Sequence, residues 1–223
     1  MELMKHIYCT SGFGADERVF SKLNFSDYDV HFIKWIEPSI KDTIEVYALK
    51  MLEQVRHERP VLFGLSFGGM MSIEMAKHIT TEKVIIISSV KTFHEMPWWM
   101  RTSGKMQLDK IIPLKSFGLI KPIENYNLGI ENKEELQLVN EYRSRISTDY
   151  TNWAMHEILH WKNEWTPENM VHIHGAKDHI FPIRYINADY RIEDGGHFMI
   201  MNRAKEVNAT LKKIFEETDV IHS

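Results

Sequence analysis

Cysteine is almost absent: Cys9 is the single one in 223 residues, so no internal disulfide can staple the fold and redox chemistry is not indicated. Its place in the apolar run His6-Ile7-Tyr8-Cys9-Thr10 points to a buried, inert thiol. An excess of charge of one sign is missing too. With 27 Lys and Arg against 31 Asp and Glu the formal net charge is −4, which gives no electrostatic reason to expect a nucleic-acid partner. No apolar run approaches the ~20 residues that cross a bilayer. The opening MELMKHIYCTSGFG holds one lysine and an apolar stretch too short and broken for a secretory leader. A cytoplasmic protein without a membrane partner, acting on small molecules, is the expectation. Repeats and low-complexity tracts are also lacking, which speaks against solenoids and disordered arms.

What is present is an ordinary globular composition, 43% hydrophobic and 26% charged, in a length that suits one core with one insertion. Short apolar runs bounded by turn residues alternate with segments of helical period, the pattern of a parallel sheet wrapped by helices. Strands are expected at Met4 to Thr10, Val30 to Trp35, Pro60 to Leu65, Val84 to Ser88, Met170 to His174 and Tyr190 to Ile192. Helices are expected from Ser39, as a serine cap, to Val55, from Phe67 to His78 and from about Arg203 to Glu217. The rhythm breaks after Ser89, and roughly 80 residues pass before the next strand, too many for a structureless loop in a compact domain. That stretch contains Trp98, Trp99, Trp153, Trp161 and Trp165, with helical signals at Lys133 to Ile146 and Tyr150 to Lys162. Residues 91–168 therefore read as a helical cap inserted into a core made of 1–90 and 169–223.

The most informative run is VLFGLSFGGMMSIEMAKHI, in which an apolar strand enters Gly64-Leu65-Ser66-Phe67-Gly68 and a helical period leaves it. A serine on such a sharp strand-to-helix turn is lifted above the sheet, and the glycines on either side keep neighbouring backbone from clashing. The helix that starts at Phe67 directs free N–H groups at the same place, where they favour negative charge. A serine hydroxyl needs an imidazole to take its proton. Of 12 histidines, His197 is best placed, after Gly195 and Gly196 and just before the last helix. The remaining eleven read as structural or solvated. The imidazole in turn needs a carboxylate to fix its tautomer. Asp178, in HGAKDHIFP directly after a strand, fits that need, with Asp194 the weaker candidate. Backbone N–H groups of Phe13, in Ser11-Gly12-Phe13-Gly14, and of Phe67 are the expected oxyanion donors.

A second motif competes. His156-Glu157-Ile158-Leu159-His160 has the H-E-x-x-H spacing that sets two zinc ligands one helical turn apart. With so many histidines a chance match is the better reading, since no third ligand stands at a recognisable position downstream, and no metal or other cofactor is expected for the serine chemistry.

Taken together, SGFG after the first strand, GLSFGG at the turn, HGAKD after the penultimate strand and GGH before the last helix resemble the α/β-hydrolase superfamily over nearly the whole chain. The resemblance implies a reduced α/β-hydrolase fold of about six mostly parallel strands with flanking helices and a helical cap, without the leading antiparallel strands of larger members. It implies Ser66, Asp178 and His197 as a catalytic triad and cleavage of a carboxylic ester of a small, apolar substrate. Ser11 stands where the family often has histidine, which bears on the packing of that loop. Trp98, Trp99 and Met100, with Met96, Met106 and Phe117, are candidates for an apolar substrate face. The basic residues between Lys91 and Lys121 leave a thioesterase or acyl-carrier methyl esterase, acting on a coenzyme A or acyl-carrier thioester, as the alternative. A ligand-binding module on the same fold is the non-enzymatic one.

Overall fold

The computed structural model describes residues 5–25, 28–39, 41–106 and 121–221; the start of the first expected strand at Met4, and Phe117, Lys110 and Lys115 of the insertion, lie outside them. Six strands form one sheet: β1 (Lys5–Thr10), β2 (Tyr28–Ile33), β3 (Val61–Leu65), β4 (Lys83–Ile87), β5 (Met170–Gly175) and β6 (Tyr190–Ile192). Every pairing is parallel and the order is β2-β1-β3-β4-β5-β6. The chain runs outward from β1 to β2 and then returns to the other side of β1. That leaves a crevice between the carboxyl ends of β1 and β3, where parallel α/β sheets place their ligands.

A parallel sheet is covered on both faces, which is why its strands read as unbroken apolar runs. Alternate residues of β4 show this: Val84 and Ile86 face one core with α1 (Ile44–Leu52) and α2 (Phe67–Ala76), while Ile85 and Ile87 face a second with α7 (Met199–Asn202) and α8 (Ala204–Ile221). Helix α1 departs from the expected span. Its cap is Thr43, whose hydroxyl accepts from the Val46 N–H, and Ser39 lies in the preceding turn, where the Asp42 carboxylate takes its N–H. Asp42 thus closes a tight turn back onto Ser39, its carboxylate on the Ser39 N–H and its own N–H on the Ser39 carbonyl at 2.9 Å, a local preference that the longer apolar period concealed.

Between β4 and β5 run α3 (Trp98–Lys105), α4 (Lys121–Leu128), α5 (Lys133–Arg145) and α6 (Thr148–His160). Asn132 and Ser147 cap the last two with side-chain oxygens, as their residue types favour. Among the described residues no helix is long and apolar enough to cross a membrane.

Helix α2 is buried along its whole length, yet carries a carboxylate, Glu74, with no exposed surface. Lys77 Nζ lies 2.7 and 2.8 Å from its two oxygens, and the indole N–H of Trp161, just past α6, donates to one of them at 2.7 Å. A buried charge stripped of its partner is far costlier than the pair. Lys77→Met is therefore expected to lower the unfolding free energy by about 3 kcal/mol in urea titrations, and Lys77→Arg to recover most of that loss.

Candidate active site

Ser66 stands between β3 and α2 with φ 53° and ψ −119°, a conformation that costs a non-glycine residue of order 1–3 kcal/mol. Several bonds hold it there. Its N–H donates to the Ile87 carbonyl at 2.9 Å, and its own carbonyl accepts from Ser89 Oγ at 2.7 Å and from the Gly69 N–H at 2.9 Å. The turn also needs its glycines. A Cβ on Gly64 would run into the backbone of Gly68 and Gly69, and one on Gly68 into the carbonyls of Thr10 and Ser11. Residue 68 thus lets the first turn of α2 press against the loop that follows β1.

The three residues singled out in the sequence meet at the carboxyl rim of the sheet. His197 Nε2 lies 2.9 Å from Ser66 Oγ, and His197 Nδ1 lies 2.8 Å from Asp178 Oδ2. The other carboxylate oxygen, Oδ1, accepts the N–H groups of Ile180 at 2.8 Å and Phe181 at 2.9 Å, so the acid is locked in rotation. Asp194 is elsewhere, exposed and ion-paired with Lys177 at 2.6 Å. The Gly195-Gly196 pair works as the spacing suggested: Gly195 closes on Gly175, with no room for a Cβ on the latter, and this brings the His197 loop back over β5.

Burial pushes the Asp178 carboxyl up, but the charge and hydrogen bond of His197 and the Phe181 N–H together hold it below its ordinary value of 3.8. His174 lies behind the acid, with Nε2 2.8 Å from the Phe181 carbonyl and 3.5 Å from Asp178 Oδ2. If its proton sits on Nε2, its Nδ1 accepts from His172 Nε2 at 3.3 Å. Burial lowers both rings and keeps them neutral. Sequence reasoning treated them as ordinary core histidines; their alternation on β5, next to a loop aspartate, was the only signal.

The N–H groups of Phe13 and Phe67 have no hydrogen-bond partner among the described residues, and Gly12, beside Phe13, sits so near the serine that a Cβ there would be 3.5 Å from Ser66 Cβ. The loop is braced in place of the missing histidine by Ser11, whose hydroxyl donates to the Ala15 carbonyl at 2.6 Å. Trp35 completes the brace: its indole N–H reaches Ser11 Oγ at 3.0 Å and the Gly12 carbonyl at 3.2 Å, and its ring lies parallel to Phe67 at 5.2 Å. Trp35 was expected only as a strand end. From the insertion, Tyr150 packs on Phe13 at 5.7 Å, and the Leu128 carbonyl accepts from the Phe198 N–H at 2.8 Å.

Trp98, Trp99 and Met100 are not brought to the serine by any of these contacts. Trp98 is 58% exposed, Trp99 sets its edge against Tyr185, and Met100 packs on the α1/α2 core. The H-E-x-x-H residues lie on α6, where Glu157 accepts the Ile44 N–H at 2.8 Å at the start of α1, and the rings of His156 and His160 stack at 4.1 Å. A glutamate serving a helix end explains the motif without a metal. A groove of about 340 Å³ lies beside the loop after β1, walled by Gly14, Trp35, Ile146 and Tyr150 among others; Ser66 and His197 are not in its walls.

This sheet order, with Ser66 on the turn after β3, Asp178 after β5 and His197 after β6, is the α/β-hydrolase fold. No family model and no curated protein matches the sequence. Solved structures do. An esterase from Thermogutta terrifontis superposes with a TM-score of 0.66 at 15% identity, covering 96% of this chain and 90% of that one. A hydrolase from Oleispira antarctica gives 0.71 at 13% identity, with 96% and 92% covered. A bromoperoxidase from Bacillus anthracis gives 0.66 at 15%, again with 96% and 92% covered. At such identities the likeness is one of fold.

A carboxyl held below its ordinary value stabilises the folded chain above that value, and the benefit drains away as pH falls through the folded-state titration. The stability advantage of the wild type over Asp178→Asn is therefore expected to be full above pH 3.8 and to shrink below it, as read from urea unfolding at several acid pH values.

Proposed function

We propose that the protein is a serine hydrolase that cleaves carboxylic esters of small molecules through an acyl-enzyme on Ser66. The observation that carries this reading is the unbroken hydrogen-bond chain from Ser66 Oγ through the His197 ring to Asp178, with distances of 2.9 and 2.8 Å. Ser66 Oγ attacks the ester carbonyl carbon while His197 Nε2 takes its proton. Negative charge then collects on the former carbonyl oxygen, and the unpartnered N–H groups of Phe13 and Phe67 receive it. The tetrahedral species collapses, the alkoxide leaves with the proton from His197, and the acyl group stays on Ser66. Water, activated by the same imidazole, releases the acid. Asp178 stays ionised throughout and stabilises the imidazolium.

Helices of residues 91–168 serve in this reading as a cap. Support comes from Tyr150 against Phe13 and from Leu128 and Gly129, which take the Phe198 N–H and an Asn202 side-chain N–H beside His197. An apolar face built from this side, with Phe13 and Tyr150, suits short acyl groups. The solved neighbours named as an esterase and a hydrolase agree with ester cleavage, while the one named as a bromoperoxidase shows that fold alone does not select the reaction. The thioester alternative leaned on basic residues of the insertion, but Lys91 is committed to Glu95 and to the Asn187 carbonyl. Oxygen esters are the better substrates in this reading.

A fluorophosphonate probe is expected to label the wild type at Ser66 and to leave folded Ser66→Ala unlabelled. Turnover of a p-nitrophenyl ester should vanish in Ser66→Ala and fall about 10⁴-fold in kcat in Asp178→Asn, as loss of the orienting carboxylate does in serine proteases. Equal labelling of both proteins, or none of either, would leave only a ligand-binding role for the fold. Faster turnover of acyl thioesters than of matched oxygen esters would move the substrate class to thioesters.

A further inference from the structure

At the opposite rim of the sheet, near the amino ends of β1 and β2, a second set of polar side chains converges. The parallel register sets His6 opposite Asp29 and Tyr8 opposite His31, so all four project from one face, and His57 joins them from the connection between α1 and β3. His6 Nδ1 lies 3.2 Å from His31 Nε2 and 3.3 Å from Asp29 Oδ2, and His31 Nε2 lies 3.1 Å from the same oxygen. Three ligand atoms of two kinds thus form a nearly equilateral triangle. The His57 ring stacks on His6 with centroids 3.4 Å apart, and one ring nitrogen from each of the three histidines falls within 4.8 Å of the others.

We propose that His6, Asp29, His31 and His57 bind a divalent transition metal ion of the Zn²⁺ class. The geometry carries it. A tetrahedral ion with metal–ligand bonds of about 2.0–2.1 Å separates its ligand atoms by about 3.3 Å, and the observed triangle matches one face of that tetrahedron. Imidazole nitrogen with carboxylate oxygen is also the donor set that such ions prefer. Without an ion the two ring nitrogens, 3.2 Å apart, share one proton between them. Binding releases that proton. His57 is the fourth ligand of the proposal, and because its ring lies stacked on His6 it has to turn to aim a nitrogen at the ion. Its Nδ1 is held by the Tyr8 hydroxyl at 2.7 Å, an outer partner of the sort that fixes ring tautomer and orientation, and Tyr8 is held in turn by the Arg56 N–H at 3.0 Å. The way in is open, since the side chains of His6, His31 and Asp29 keep 23%, 29% and 44% of their surface exposed.

The ion would join three pieces of chain: β1, the edge strand β2, and the segment entering β3. The β1–β3 register sets His6 level with Pro60, six residues short of Ser66, so the ion stands about 20 Å along the strand from the serine and takes no part in the hydrolytic chemistry.

The test uses untagged full-length protein stripped with a chelator, then titrated with ZnCl₂ by calorimetry and with CoCl₂ by visible absorption. One equivalent, a tetrahedral Co²⁺ spectrum and a rise in Tm with added Zn²⁺ are expected. Loss of an outer partner alone weakens such sites about 10–100-fold, so His31→Ala and His57→Ala should each weaken binding at least that much. His57 lies on a loop, and far-UV circular dichroism of His57→Ala checks that the fold is kept. A double His156→Ala, His160→Ala variant should bind as the wild type does. Absence of stoichiometric binding, undiminished binding in both His31→Ala and His57→Ala, or loss confined to the His156, His160 variant would overturn the proposal.

Discussion

The arrangement of this molecule depends on one strained residue. Ser66 cannot relax from its positive φ without giving up the bonds its backbone makes to Ile87, Gly69 and Ser89, and those groups belong to β4 and its exit and to the first turn of α2. Strain of a few kcal/mol persists only where the surroundings over-determine it. Here they do so twice over, because the same turn that lifts the hydroxyl also directs the Phe67 N–H to the space in front of it. The absence of a Cβ at Gly68 closes the construction by letting the β1 loop, with its Phe13 N–H, come alongside.

Behind the base the polar groups are layered. His197 is oriented by Asp178, Asp178 by two backbone N–H groups, and the second of these belongs to Phe181, whose carbonyl is held by His174. Each member leaves the next little freedom, which is what the proton shuttle proposed for His197 needs if its geometry is to be ready before substrate arrives. Neutral histidines suit the inner layer. A second positive charge next to Asp178 would compete with the imidazolium of the proposed reaction, and burial works against it.

Much of this was legible in the residues because the features concerned are local. The strand-to-helix serine turn, the aspartate after β5 and the Gly-Gly-His loop each carry their signal within a few positions, and a parallel sheet then brings them to one rim by topology alone. Strand boundaries were legible to within a residue at the other five strands, whereas β2, expected from Val30 to Trp35, runs over Tyr28–Ile33. The start of α1 was misread, since Asp42 captures the Ser39 N–H and the helix begins instead at Thr43. Trp35 and Tyr150 could not be assigned to the site, because their roles come from contacts with residues more than 20 positions away. The histidines were the hardest to judge. The spacing His156 to His160 looked like a metal site, yet its glutamate serves a helix start, whereas His6, His31 and His57 share no spacing at all and converge only through strand register.

Register is also what relates the two rims. Strand β2 sits at the edge of the sheet, paired on one side only, and an edge strand is the part of a sheet least constrained by its neighbours. At its amino half it carries Asp29 and His31. Just past its carboxyl end it delivers Trp35, which braces the loop holding Phe13 and stacks on Phe67. The position of the Phe13 and Phe67 N–H groups, the proposed oxyanion donors, therefore rests in part on how firmly this edge strand is held. Hydrogen bonds to β1 hold it along its length, α1 covers the end near Trp35 through the Tyr47 hydroxyl and the Ile36 backbone, and the histidine cluster ties its other end to both β1 and the entry to β3. A ligand bridging that cluster would act on stability through the strand that the active rim leans on, with no need to approach the serine.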